Sequence, residues 1–160
     1  MKRTIAMLAL PAAMLTLGAC EETKSAGPPQ VRLGDSVCAQ CNMIISDERW
    51  ATATMVDGPR GPEARLFDDL NCQVDYETDN PDLTIRARWS HNHATRAWLP
   101  TESARFLMSP NLRTPMGSQV AVFASAEEAN QAKAELSGEV MTFDIAWNRL
   151  GSNETCCHTE

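Results

Sequence analysis

Gln119-Val-Ala-Val-Phe123-Ala-Ser125-Ala-Glu-Glu128-Ala129-Asn-Gln-Ala132-Lys-Ala-Glu-Leu136 holds two successive periodicities, and the rest of the chain can be read outward from them. Residues 119–123 are a short run of β-formers that predicts a strand. Ser125 stands three residues before Glu128, the spacing of a capping box, and Ala129, Ala132 and Leu136 then recur on one face of a helix over 126–136. Gly138 supplies the stop. Residues 139–143 read as a strand, with Asp144 placed to cap a final short helix ending at Leu150. Upstream, residues 104–108 read as a strand and 109–118 as a loop carrying Pro and Gly.

The first half of the chain repeats this order. Trp50 to Val56 is rich in β-branched residues and reads as a strand; residues 57–62 form a Gly/Pro turn; residues 64–67 restart a strand that ends in Phe67. Asp68 can cap a helix running to about Glu77, with Leu70 and Val74 on its apolar face. Residues 83–89 alternate as a half-buried strand, and 96–99 are short and β-like. Phe67-Asp68 and Phe123-Ala124-Ser125 hold matching places. The expectation is an α+β domain of two pseudo-repeated ββαβ halves.

Outside this domain the composition changes. Residues 1–19 read as a lipoprotein signal peptide: Lys2 and Arg3, then an apolar stretch from Ile5 to Leu17 that is shorter than the roughly 20 residues a membrane span requires. Leu17-Gly18-Ala19-Cys20 is a lipobox, so Cys20 is the expected site of lipidation, and several acyl chains make a stable anchor. Residues 20–35, with Gly27-Pro28-Pro29, read as the lipidated cysteine and a flexible tether. The domain proper is expected over 36–150. The polar segment 151–160 is a tail whose Cys156-Cys157-His158 is open to two readings, metal binding or disorder. The whole chain carries a formal charge of −7, and loss of Lys2 and Arg3 with the leader makes the remainder two units more negative. Such an acidic body argues against nucleic acid as a partner.

Three sulfur residues, Cys38, Cys41 and Met43, fall within Val37-Cys-Ala-Gln-Cys-Asn-Met43. Thiolate and thioether sulfur together select a soft cation, and Cu(I) is the common one. With Cys20 lipidated, five cysteines remain, an odd number that suits a disulfide framework poorly. An exported compartment oxidises free thiol pairs, so Cys38 and Cys41 are either joined or held reduced, as a bound metal ion would hold them.

The lipobox, the Cys-x-x-Cys-x-Met run, Thr114-Pro-Met-Gly117, Val-x-Val-Phe-Ala124-Ser and Gly138-Glu-Val-Met-Thr-Phe143-Asp, in this order, resemble the NosL family, the copper-binding accessory lipoproteins of nitrous oxide reductase. The resemblance spans roughly 36–146. It implies a periplasm-facing, lipid-anchored chaperone, not an enzyme, that carries Cu(I) for the copper–sulfide centre of that reductase. Its implied partners are the reductase and its maturation machinery, including a membrane ABC transporter. The implied fold, a pair of ββαβ halves, is related to organomercurial lyase. Relatives more often carry Gly where Thr114 stands and Phe-Cys-Asp where this chain has Phe67-Asp68-Asp69. His91 and His93 fall where relatives more often have Asp and Tyr. The choice between inner and outer membrane is left open by Glu21.

Cys38 and Cys41, three apart, can be joined by one turn, and Cys41 and Met43, two apart, share a side in an extended segment. Met116, in the Pro-Met-Gly loop, is the candidate to complete the ligand shell from the second half. Its neutral thioether is easier to exchange than a thiolate, which suits a carrier; the competing reading is a core-filling methionine. Met55, Met108 and Met141 fall on predicted strands and read as core. His91 and His93 would share a face in an extended chain and could bind Cu(II) or zinc, or be polar surface. Cys72, on the first helix, reads as a small buried apolar residue.

No nucleophile elbow, phosphate loop or His-Glu-x-x-His is present in the sequence. Two other readings compete with Cu(I) carriage. One is a thiol–disulfide oxidoreductase using Cys38 and Cys41, although such pairs usually open a helix and a strand is expected here. The other is a zinc-stabilised structural module.

Overall fold

A computed structural model describes residues 27–152. The leader, Cys20 and the Cys156-Cys157-His158 tail lie outside the described residues. The chain runs β1 (Thr52–Gly58), β2 (Gly61–Phe67), α1 (Leu70–Asp79), β3 (Ile85–His91), β4 (Trp98–Pro100), a 3-10 turn (Thr101–Ser103), β5 (Arg105–Met108), β6 (Val120–Phe123), α2 (Ala126–Leu136), β7 (Glu139–Met141) and α3 (Phe143–Gly151). The class is α+β, with two antiparallel sheets ordered β2-β1-β3-β4 and β6-β5-β7. The runs β1-β2-α1-β3 and β5-β6-α2-β7 share one element order, and in each sheet the first strand of its run lies between the other two.

The small sheet buries both faces, and its alternation shows why. Phe106, Val120, Val122 and Met141 join Leu70 and Val74 of α1 and Ala146 and Leu150 of α3 in one core. Leu107, Ala121 and Phe123 point the other way, onto Ala129 of α2, with Trp50 and Leu112 closing that second core. The first core is what fastens α1 to the second half. Each large side chain fully buried in it contributes about 1.5–3 kcal/mol of apolar burial. On its other side α1 is fixed to the large sheet by polar contacts. Gln73 Nε2 donates to the Ala53 carbonyl at 3.0 Å and to Thr54 Oγ1 at 2.9 Å, and Thr54 Oγ1 donates to Glu77 at 2.5 Å. Glu77 also takes Arg88 at 2.7 Å.

The starts of all three helices differ from expectation. Asp69, not Asp68, caps α1: its side chain accepts from Leu70 N at 2.8 Å. Phe67 is still paired with Thr52 in the sheet, so the chain turns one residue later than the first aspartate. Ser125 does accept from Glu128 N at 3.2 Å, but the Glu128 carboxylate reaches Ala124 N and Asn92 rather than the Ser125 amide. At α3, Thr142 occupies the cap position and Asp144 lies in the first turn, where its charge faces the positive end of the helix. Trp50 lies ahead of β1 in a turn and serves as core.

Candidate metal centre

Residues 34–45 fold back on themselves. Gly34 N donates to Ile45 O at 2.9 Å, Ile45 N to Ser36 O at 2.8 Å and Cys38 N to Met43 O at 2.8 Å, with Val37 and Ile44 bridged. Asn42 adopts φ +62°, so the segment from Cys41 to Met43 is a turn and not the extended stretch expected from their spacing. Ala39 N donates to Leu66 O at 2.7 Å, which docks the turn on the end of β2, directly before Phe67 and Asp68.

That docking brings three thiols and a carboxylate together. The ligand atoms of Cys38, Cys41, Asp68 and Cys72 all lie within 4.8 Å of one another. Donors ~2.3 Å from a trigonal or tetrahedral ion stand about 4 Å apart, so the four need only a small contraction to close on one. Cys38 and Cys72 are 0% exposed, and with Phe67 they form a small core against which Ala39, Cys41, Tyr76 and Met116 pack. The Cys41 thiol points at Asp68, 3.5 Å from Oδ1 and 3.7 Å from Oδ2.

The protons are unevenly held. A hydrogen bond from the Cys72 thiol to the Cys38 sulfur, aided by backbone N–H groups and opposed by burial, lowers Cys38 to about 7. Burial, with the Cys38 and Asp68 charges beside it, pushes Cys41 up to about 12 against the pull of the Met43 N–H. Cys72 is pushed up too, because it donates its proton to Cys38 and is itself buried. Near neutrality, therefore, ionisation in the metal-free pocket falls on Cys38, about half thiolate, while Cys41 and Cys72 keep their protons. An incoming cation would reverse this, since its own charge favours thiolate.

The structure thus gathers two expected ligands, Cys38 and Cys41, and packs a third, Met116, against them. Met43 belongs to the same turn and is 53% exposed; unlike Met116, it is not among the side chains packed on the thiol core. Two members of the donor group are not evident from sequence. Asp68 reads there as a cap and Cys72 as core, although their four-residue spacing at a helix start sets both toward one side. His91 and His93 are placed elsewhere: neither belongs to the donor group found among the described residues. β3 ends at His91, so the alternation that would align the two rings stops there. His91 is buried, with Nδ1 2.8 Å from the Ala51 carbonyl and its ring stacked on Trp98. His93 is half-buried between Trp50 and Phe123. Burial lowers the pKa of both. Neither is the polar surface residue of the alternative reading.

Fold and pocket together define a small α+β domain with a thiol-rich site able to hold a metal ion. The chain belongs to the NosL family, whose sequence profile matches residues 31–148. Among solved structures it is similar to the copper chaperone NosL from Shewanella denitrificans, with a TM-score of 0.63 at 12% identity over 74% of this chain and 93% of that one. No curated protein sequence matches it.

Proposed function

We propose that this protein is a Cu(I) carrier that supplies copper for assembly of the copper–sulfide centre of nitrous oxide reductase. It would work at the periplasmic face of the envelope, anchored through a lipidated Cys20, in concert with the reductase's maturation machinery and its ABC transporter. One observation carries the reading: a sulfur pocket drawn from separate segments of a NosL fold, with three thiols gathered together and the Met116 side chain packed against them. Cys38 and Cys41 bind the ion, Met43 and Met116 complete the shell, and Cys72 and Asp68 stand within reach. Soft donors in this mixture favour Cu(I) over harder ions. Thiolates give affinity. Neutral, partly exposed thioethers can be displaced first by a recipient's own ligands, which opens the ion's coordination before the thiolates let go and take up protons.

A second reading has one observation in its favour. Three cysteines and one carboxylate are also a complete tetrahedral zinc set. Titration of the reduced protein with Cu(I) and with Zn(II), each against a chromophoric competitor, separates the two. The carrier reading expects Cu(I) to win by orders of magnitude, with affinity lost in Cys41→Ser. Preference for zinc, or absence of Cu(I) binding, would reject it.

A further inference from the structure

We propose that Asp69 is a positioning residue that holds Met116 over the thiol pocket; the inference rests on the reading of Met116 as a Cu(I) ligand. A helix cap needs one acceptor oxygen, and Asp69 provides that to Leu70 N. The rest of its carboxylate, 1% exposed, is given to one distant loop. Oδ2 accepts from Thr114 Oγ1 at 2.7 Å, Met116 N at 2.9 Å and Ser118 N at 3.2 Å, and Oδ1 accepts from Ser118 Oγ at 2.5 Å. Asn71 Nδ2 donates to the Met116 carbonyl at 2.9 Å. The polar groups flanking Met116 on both sides are thus tied to the first residues of α1, across 45 residues of sequence.

The neighbouring aspartate faces the other way. Asp68 lies beside Cys41, while Asp69 grips the thioether loop. Two consecutive acids at one helix start therefore address the two sulfur types of one site. The grip acts on a segment without regular structure: residues 109–119 form neither helix nor strand, and the backbone is left-handed at Gly117, φ +75°, and Gln119, φ +56°. Charge-assisted hydrogen bonds are the strong ones, and a buried carboxylate with four donors from one loop selects one loop conformation. Met116 then meets the ion without the entropic cost of ordering its loop, the usual way preorganisation raises affinity.

The test is a double-mutant cycle on Cu(I) affinity, with Asp69→Asn and Met116→Ala made singly and together in the reduced protein. Asp69→Asn keeps the shape but turns one acceptor into a donor facing donors. It should weaken Cu(I) by about 10–100-fold, the range seen when groups supporting a metal ligand are lost. In the Met116→Ala background it should weaken binding no further. Copper-edge X-ray absorption of selenomethionine-labelled protein should show the Cu–Se scattering diminished by one selenium in Asp69→Asn, with the Cu–S scattering of the thiolates unchanged. Thr114→Val and Ser118→Ala, which remove one donor each, should reproduce the coupling more weakly if Asp69→Asn fails to fold. Independent, multiplicative losses in the cycle would overturn the proposal, as would wild-type affinity and Cu–Se scattering in all three loop-grip variants. Tight Cu(I) binding that ignores Met116→Ala would overturn it while leaving the carrier reading standing. Absence of Cu(I) binding by the unaltered protein would overturn both.

Discussion

The pH dependence of Cu(I) binding should count the thiolates at the site. A thiol must lose its proton to ligate, so each one protonated in the free protein and deprotonated in the complex makes log K rise by about one per pH unit. Cys38, near 7, is already half ionised at neutrality, whereas Cys41, near 12, is not. Binding through these two thiolates therefore releases about one proton per ion above pH ~7.5 and about two well below pH ~6.5. The sign follows directly. The Cys41 pKa lies above the working pH, so the metal competes with a proton, and affinity climbs as pH rises. The competition is with a firmly held proton, because burial and the neighbouring negative groups raise that thiol well above its ordinary value. If Cys72 also ligates as thiolate, both slopes gain about one, and Cys72→Ala should remove that increment. The assay is anaerobic competition with a chromophoric chelator of known protonation from pH ~6 to ~9, checked by proton release into weak buffer. Affinity that is flat above pH ~7.5, with no proton released, would refute two-thiolate binding and leave Cys38 as the lone anionic ligand.

Three further outcomes are expected. Met43→Ala should leave thermal stability within about 0.5 kcal/mol of the parent, because the side chain is 53% exposed, yet weaken Cu(I); unchanged affinity removes it from the ligand set. Gly138→Ala should behave oppositely: at φ +103° its new Cβ would sit 2.2 Å from the Met108 carbonyl oxygen, so the joint between α2 and β7 must shift. A loss of about 3 kcal/mol, or roughly 10 °C in melting temperature, is expected, with Cu(I) affinity per folded molecule preserved. Cys20→Ser should release the protein from the membrane fraction with copper binding intact, as fractionation would read; a protein that stays membrane-bound contradicts the lipobox.

The strands and α2 are legible in the sequence because their signals are local. Val120 to Phe123 and the Ser125 cap need only neighbours within a few residues, and the small sheet's two apolar faces follow from alternation alone. The start of α1 is not legible to the residue. Asp68 and Asp69 are equally able to cap, and the choice falls to Asp69 because Phe67 must stay in register with Thr52. The expected alignment of the histidine pair is lost for a related reason. Its alignment assumes an extended chain through His93, but β3 stops at His91 and a turn follows, with Arg96 at φ +63°.

The site is legible in its front half, where Cys38 and Cys41 sit on one turn, and illegible where it depends on tertiary contact. Cys72 lies far along the chain from Cys38, on a helix whose buried apolar positions Leu70 and Val74 are core, and nothing local separates a ligand from a small apolar residue there. What decides is the docking of Ala39 on Leu66: it lays the cysteine turn across the end of β2, and β2 leads at once into Asp68, Asp69 and the helix carrying Cys72. The same junction explains why the chain places two acids in succession at one helix start. One faces the buried thiols and the other grips the loop of the thioether. A deletion that merely shortens the turn before Cys38 should then leave the small sheet intact while separating the thiols, because the two cores packed on that sheet share no residue with the core under the site, to which the large sheet contributes Phe67.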